Sequence, residues 1–331
     1  MICLSRLCRC RAAVAAAALL FVVPVAAGCA LGQDLSATSP VAAHARTRGG
    51  VRYDPSAPLH TVLTPRFDPG NPPLSALTYA VTFDGANGQT VPALFVAPVA
   101  AKGAPCVLLL HGLGGSKEQM FLVAAALAQK GYASLAIDAA GHGGRPRING
   151  KAVGALDLND THLLAAQTVA DLARGVDFLQ TRPEVDQKRI GYLGISMGAI
   201  LGGVFIGDDA RIKAAVLWAG GGDWGKLVTT SSLAKSNAFR GPSGTTQGTA
   251  PEIEKTMADV DPINTIRAFS PRPLLFLNGD QDMVVPVPCA KELFEAAAEP
   301  KTRVVLPGGH IPDPLAMLER SIVWLNANLK P

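Results

Sequence analysis

Six short, almost wholly apolar runs recur from residue 107 onward, and their spacing constrains the fold more than any other feature of the chain. They are Val107–Leu110, Ala133–Ile137, Arg189–Ile195, Ala214–Trp218, Leu274–Leu277 and Arg303–Leu306. Helical stretches alternate with them, near 117–130, 160–180, 196–205 and 289–298, and a last one covers about 314–329. A strand apolar at nearly every position must be buried on both faces, and strands separated by helices pair side by side in parallel. The expected core is therefore a mostly parallel sheet covered on both faces. Tyr79–Phe83 and Val91–Ala97 flank the turn residues Asp84-Gly85-Ala86-Asn87-Gly88 and read as an antiparallel hairpin. A Gly/Ser/Thr-rich stretch from about 223 to 258 breaks the rhythm and reads as a lid inserted above the strand ends.

The amino terminus has a different character. Arg6, Arg9 and Arg11 stand without an acidic residue, Ala12 to Val23 is unbroken apolar, and small residues follow through Val25-Ala26-Ala27-Gly28-Cys29. This is the layout of a secretory signal over residues 1–28. The apolar run is shorter than the roughly 20 residues a membrane span requires. Ala26-Ala27-Gly28-Cys29 also resembles a bacterial lipoprotein box, although the usual Leu three before the Cys is missing. A lipid anchor at Cys29 is the one membrane attachment expected, and the mature protein is expected outside the cytoplasm, periplasmic or extracellular. Residues 29–75, rich in Pro, Ala, Ser and Thr, read as a linker or wrapping arm, and 76–331 as the folded domain.

Composition narrows the function classes. With 48% apolar and 17% charged residues, the chain can offset its entropy by burial, which excludes disorder. The net charge of +4 includes three arginines of the leader, and no basic run suggests nucleic acid. Of the six cysteines, Cys106 and Cys289 fall inside the fold, at opposite ends of the expected sheet, and are expected to be unpaired. No Cys/His spacing suggests zinc, and neither a phosphate loop nor a dinucleotide-binding glycine motif is present, so no metal or cofactor is expected.

The chemistry centres on Gly194-Ile195-Ser196-Met197-Gly198, which follows an apolar strand and opens a helix. A turn this tight strains the serine backbone, needs glycine on both sides, and lifts the hydroxyl out at the carboxyl end of the sheet. Serine needs an adjacent general base, itself oriented by a third group. With the chain order Ser, acid, His, only His310 follows the nucleophile, in Leu306-Pro307-Gly308-Gly309-His310. His111, His142 and His162 precede it and read as structural, His111 by bonding loop backbone. For the acid, Asp280 and Asp282 share one loop after an apolar strand, Asp223 follows the strand before, and spacing alone does not separate the two loop residues. Trp218 reads as core, and Trp224 as a residue lining a substrate pocket.

These motifs together resemble the α/β-hydrolases, closest to the dienelactone-hydrolase-like and acetyl-esterase-like branch, over roughly residues 77–330. The resemblance implies an α/β-hydrolase fold, that is, a mostly parallel eight-stranded sheet with helices on both faces and a short lid insertion. In those families the acid lies in a Gly-x-x-Asp-x-x-Val-Pro pattern, fitted by Gly279, Asp282, Val285 and Pro286, which selects Asp282. His111-Gly112-Leu113-Gly114-Gly115 becomes the oxyanion loop, offering the amide of Leu113 or Gly114, and Met197 supplies the second amide. Dienelactone hydrolases proper use a cysteine nucleophile; Ser196 moves the expectation toward ordinary esters. Ala199 stands where many relatives carry another glycine, a small packing change. The implied activity is an exported serine hydrolase that cleaves small-molecule carboxylic esters through an acyl-enzyme, with Ser196, Asp282 and His310 as triad. A peptidase or thioesterase on the same triad, or an inactive binding protein, are the alternative readings.

Overall fold

Burial on both faces makes each apolar run a strand, and the helices between them cover the faces. The computed structural model describes residues 45–66, 76–99, 101–235 and 248–330. The expected leader and Cys29 lie outside these residues. In chain order the strands are β1 (Arg46–Arg48), β2 (Val51–Tyr53), β3 (Val62–Pro65), β4 (Ala76–Asp84), β5 (Thr90–Pro98), β6 (Ala104–Leu110), β7 (Ala133–Ile137), β8 (Val185–Ile195), β9 (Ile212–Trp218), β10 (Leu274–Gly279) and β11 (Lys301–Leu306). The helices are α1 (Phe121–Gln129), α2 (Leu158–Gln180), α3 (Met197–Asp208), α4 (Trp224–Thr230), α5 (Ala250–Met257), α6 (Val287–Ala296) and α7 (Pro314–Leu329).

Nine strands form one sheet in the order β11-β10-β9-β8-β6-β7-β5-β4-β3. Strands β6 to β11 pair in parallel, whereas β3, β4 and β5 add an antiparallel edge. The expected hairpin is present, with Phe83 opposite Val91. One apolar layer joins α1 and α7 to the sheet through Leu127, Met317 and Leu325. The other joins α2, α3 and α6 through Val176, Val204 and Leu293. Helix α2 begins at a reciprocal cap, the Asp157 side chain accepting from Asp160 N–H and Asp160 from Asp157 N–H. Cys106 and Cys289 are buried free thiols. Burial pushes the Cys289 thiol up to about 12, so it is not a ready nucleophile. Among the described residues, no helix is long and apolar enough to cross a membrane.

The sheet has nine strands where eight were expected. The ninth, β3, comes from the stretch read as linker or arm and pairs with β4, Leu63 opposite Val81. Four residues ending in a proline are too short for a period, and an edge strand is where proline is tolerated. The same stretch supplies the β1–β2 ribbon. Charge holds the ribbon and the turn after it in place. The buried Arg174 of α2 donates to the carbonyls of Asp54, Ala57, Pro58 and Asp84 and to Asp177 Oδ2. Tyr53 donates to Asp177 Oδ1 at 2.8 Å, and Arg211 bridges Asp177 to Asp209.

Replacing Arg174 by Met leaves Asp177 short of a partner and several carbonyls unpaired. We expect a loss of about 3 kcal/mol and faster proteolysis between residues 54 and 66. A urea-unfolding difference below about 1 kcal/mol would mean that the clamp is dispensable.

Candidate active site

The expected site residues lie just past the carboxyl ends of parallel strands, Leu113, Ser196, Asp282 and His310 on loops and Met197 and Trp224 at the first positions of α3 and α4. Ser196 follows β8 with φ 56° and ψ −115°, a left-handed conformation costly for a side-chain-bearing residue. Its neighbours explain how the conformation is held. A Cβ on Gly194 would overlap the Gly198 carbonyl, and one on Gly198 would overlap the Leu110 carbonyl. The Tyr192 hydroxyl donates to Gly198 O at 2.6 Å, locking the first turn of α3 against β8.

Asp282 and His310 arrive from the loops after β10 and β11. His310 Nε2 lies 2.8 Å from Ser196 Oγ, and Nδ1 lies 2.8 Å from Asp282 Oδ2. The Asp282 side chain is 2% exposed and that of His310 22%. Asp282 Oδ1 also accepts from the amides of Val284 and Val285 at 2.8 and 2.9 Å, which fixes the carboxylate plane. The two Asp282 oxygens are acceptors, so Nδ1 carries the ring proton and Nε2 is left to accept from the serine hydroxyl. Asp280 has another role. It is exposed, and its Oδ1 accepts from Gly308 N–H at 2.8 Å while Gln281 N–H donates to Gly308 O at 2.8 Å. Asp280 thus latches the histidine loop to the acid loop. Asp223 caps α4 through Lys226 N–H and pairs with the Lys226 ammonium.

The loop after β6 leans on the serine: a Cβ on Gly112 would stand 3.5 Å from Ser196 Cβ. The amides of Leu113 and Met197 have no acceptor among the described residues, Met197 being the first residue of α3, whose N-terminus carries positive partial charge. His111 is structural. Its Nδ1 donates to Gly112 O at 2.8 Å, and Nε2 accepts from Ala139 N–H at 3.1 Å, which ties the loop after β6 to the loop after β7. Asp138, fully buried, accepts from the amides of Lys117 and Gly144 and from the Lys117 ammonium. His142 is buried with Nδ1 2.9 Å from Ala140 O, and His162 contacts Asp259 at 2.6 Å.

A cleft opens on Ser196, walled by α2, α3, α4 and the loop that carries Asp282. Leu113, Met197 and Trp224 line it. The Trp224 indole donates to Val260 O and its amide to Asp261, holding this wall rigid. Trp218 is core, donating to Ser321 Oγ at 2.8 Å. Among the described residues, no group of three or more His, Cys, Asp or Glu is placed to hold a metal.

Residues 91–306 match the dienelactone hydrolase family. The chain belongs to that family. This family member is 30% identical over 219 residues to the putative hydrolase YtaP of Bacillus subtilis (strain 168), covering 60% of this chain and 68% of that protein. It is 27% identical over 218 residues to the esterase YjfP of Escherichia coli (strain K12), covering 63% and 82%. An acetyl xylan esterase from Paenibacillus sp. R4 superposes with a TM-score of 0.66 at 22% identity, over 82% of this chain and 90% of that one, and shares its fold. The protein is thus an α/β-fold hydrolase, of an ester-cleaving family.

Sequence reasoning missed the supporting residues: Asp280 as latch, Asp138 as anchor of two loops, Asp261 behind Trp224. Only Asp280 had a signal, its place beside the acid.

Two measurements follow. Asp282→Asn is expected to lower kcat by on the order of 10²–10⁴, and Asp280→Asn by less than tenfold; the reverse ranking would exchange their roles. Burial lowers the His111 pKa to about 4, below its ordinary 6.5. The folded state therefore binds fewer protons than the unfolded state between these values. Stability from this group is complete above pH 6.5 and falls as pH drops toward 4, by on the order of 3 kcal/mol. His111→Gln should flatten the stability slope over that window, and an unchanged slope would place the titration elsewhere.

Proposed function

We propose that the protein hydrolyses carboxylic esters through an acyl-serine intermediate, with Ser196 as nucleophile, His310 as general base and acid, and Asp282 as the group that orients His310. The observation that carries this is the unbroken chain from Asp282 through His310 to Ser196, with both links at 2.8 Å. Ser196 Oγ attacks the ester carbonyl carbon as His310 Nε2 takes the hydroxyl proton. The carbonyl oxygen gains charge and is held by the amides of Leu113 and Met197, which are otherwise unspent. As the tetrahedral intermediate collapses, the bond to the leaving oxygen breaks and His310 gives its proton to the departing alcohol. Water then enters, loses a proton to His310 and attacks the acyl carbon, and Ser196 departs reprotonated. Asp282 favours the imidazolium formed in each half and keeps the ring in the productive tautomer. No step calls for a cofactor. We also propose that the protein is exported, a reading supported by the charged and then apolar layout of residues 1–28.

Ser196→Ala and His310→Ala should each lower p-nitrophenyl butyrate hydrolysis by on the order of 10⁴ or more, with circular dichroism and melting unchanged. A fluorophosphonate should label the wild-type protein at Ser196 by mass spectrometry. Near-normal hydrolysis by Ser196→Ala, or cleavage of peptide p-nitroanilides without cleavage of esters, would overturn the proposal.

A further inference from the structure

The cleft beside Ser196 differs from the rest of the site in being apolar. Besides Ser196 it is lined by apolar side chains and two hydroxyls, and among the described residues no charged side chain lines it. Both hydroxyls are already engaged. Thr161 Oγ1 donates to Asp157 O at 2.8 Å. Ser231 Oγ donates to Val284 O at 2.6 Å and accepts from Leu233 N–H at 3.1 Å. A polar or ionised group entering the cleft would lose water and find no replacement partner, a cost that an apolar chain avoids.

The cleft also has depth. Of its lining residues Leu113 is 38% exposed, whereas Ala165 on α2 and Leu201 on α3 are 1% exposed, and on that burial Leu113 is taken as the mouth and Ala165 and Leu201 as the floor. Ser196 stands at the head of α3 and Leu201 five residues further on, a drop of about 7.5 Å along the helix axis. Leu164, Ile200 and Leu227 also line it. An acetyl group would occupy only the top of this space and leave the apolar floor without contact. A chain that reaches Leu201 gains hydrophobic contact with each added carbon until the floor stops it.

Resting on the serine-esterase reading, we infer that this site is specific for uncharged esters of straight aliphatic acids of about four to six carbons, with the acyl chain lying between α2, α3 and α4. The alcohol part faces the open mouth at Leu113 and is held to no comparable requirement. Depth of the acyl cleft and its lack of charge set the preference, in contrast to the acetyl group named for the Paenibacillus structural neighbour.

The test is kcat/KM for p-nitrophenyl acetate, butyrate, hexanoate, octanoate and dodecanoate, together with mono-p-nitrophenyl glutarate, a carboxylate-bearing match in length for the hexanoate. Each methylene from acetate to hexanoate should raise kcat/KM about threefold to fourfold, and dodecanoate should fall at least about tenfold below hexanoate as the floor is reached. The glutarate ester should lie about 100-fold or more below hexanoate. Ala165→Leu, which raises the floor, should lower the hexanoate-to-acetate ratio about tenfold. If acetate matches or exceeds hexanoate, or the glutarate ester comes within about tenfold of it, the inference falls while the esterase reading stands. An unchanged ratio in a folded Ala165→Leu protein overturns the placement of the acyl chain. If Ala165→Leu does not fold, the wild-type series decides alone. Cleavage of none of these esters would overturn the serine-esterase reading, and the inference with it.

Discussion

The active site depends on one strained residue. Ser196 holds a positive φ because the chain must leave β8 and enter α3 within a single turn, and the cost is tolerated only where packing admits no alternative. Gly194 and Gly198 are the means. Their missing side chains let α3 pack directly on the Leu110 carbonyl at the end of β6. Strand β6 pairs with β8, so the loop that begins at His111 is brought against the serine by the same contact. The strain therefore positions the Ser196 hydroxyl and the amides of Leu113 and Met197 together, at an angle set by strand pairing.

The other half of the site is assembled by short loops that pin one another. Asp282 is held by two amides of its own loop before it meets His310. Asp280 and Gln281 hold Gly308, two residues before His310. The imidazole is thus held by its ring proton and by the pinned loop two residues before it, with little freedom left to lose when a substrate binds. Gly279 shows how close the loops run, since a Cβ there would overlap the Gly309 carbonyl.

The parts legible in the sequence are those in which local chemistry and topology point the same way. Strands such as β6 and β7 are buried on both faces and therefore apolar throughout, and Ser196 and His310 followed from a tight glycine turn and from chain order. Asp282 was not legible from spacing alone, because Asp280 lies two residues away in the same loop; the family pattern selected it, and the hydrogen bond to His310 is where the two differ. Strand β3 escaped notice because its four residues owe their conformation to pairing with β4 across the turn-rich segment. The clamp of Arg174, Asp177 and Arg211 on Tyr53 and its neighbours is likewise non-local, joining charges more than 100 residues apart to the first ribbon. A charged residue inside a helix pattern reads as a solvated face, and here it is buried.

That clamp bears on the chemistry through α2. One part of the helix carries Thr161, Leu164 and Ala165 into the cleft, and further along it Arg174 and Asp177 are bound to the ribbon and to Arg211. Between them Thr168 Oγ1 accepts from Ala140 N–H at 3.1 Å, and the neighbouring Ala139 N–H donates to His111, which in turn holds Gly112 O. A single helix thus touches the apolar cleft beside Ser196, the support of the loop after β6 and the buried charges. Ion pairs are poor at adding net stability, but they have strict geometry, and breaking one is costly. Placed at the far end of α2, they fix where an apolar, non-directional wall stands relative to Ser196. Apolar contacts alone would leave the helix free to slide, and the width of the cleft with it.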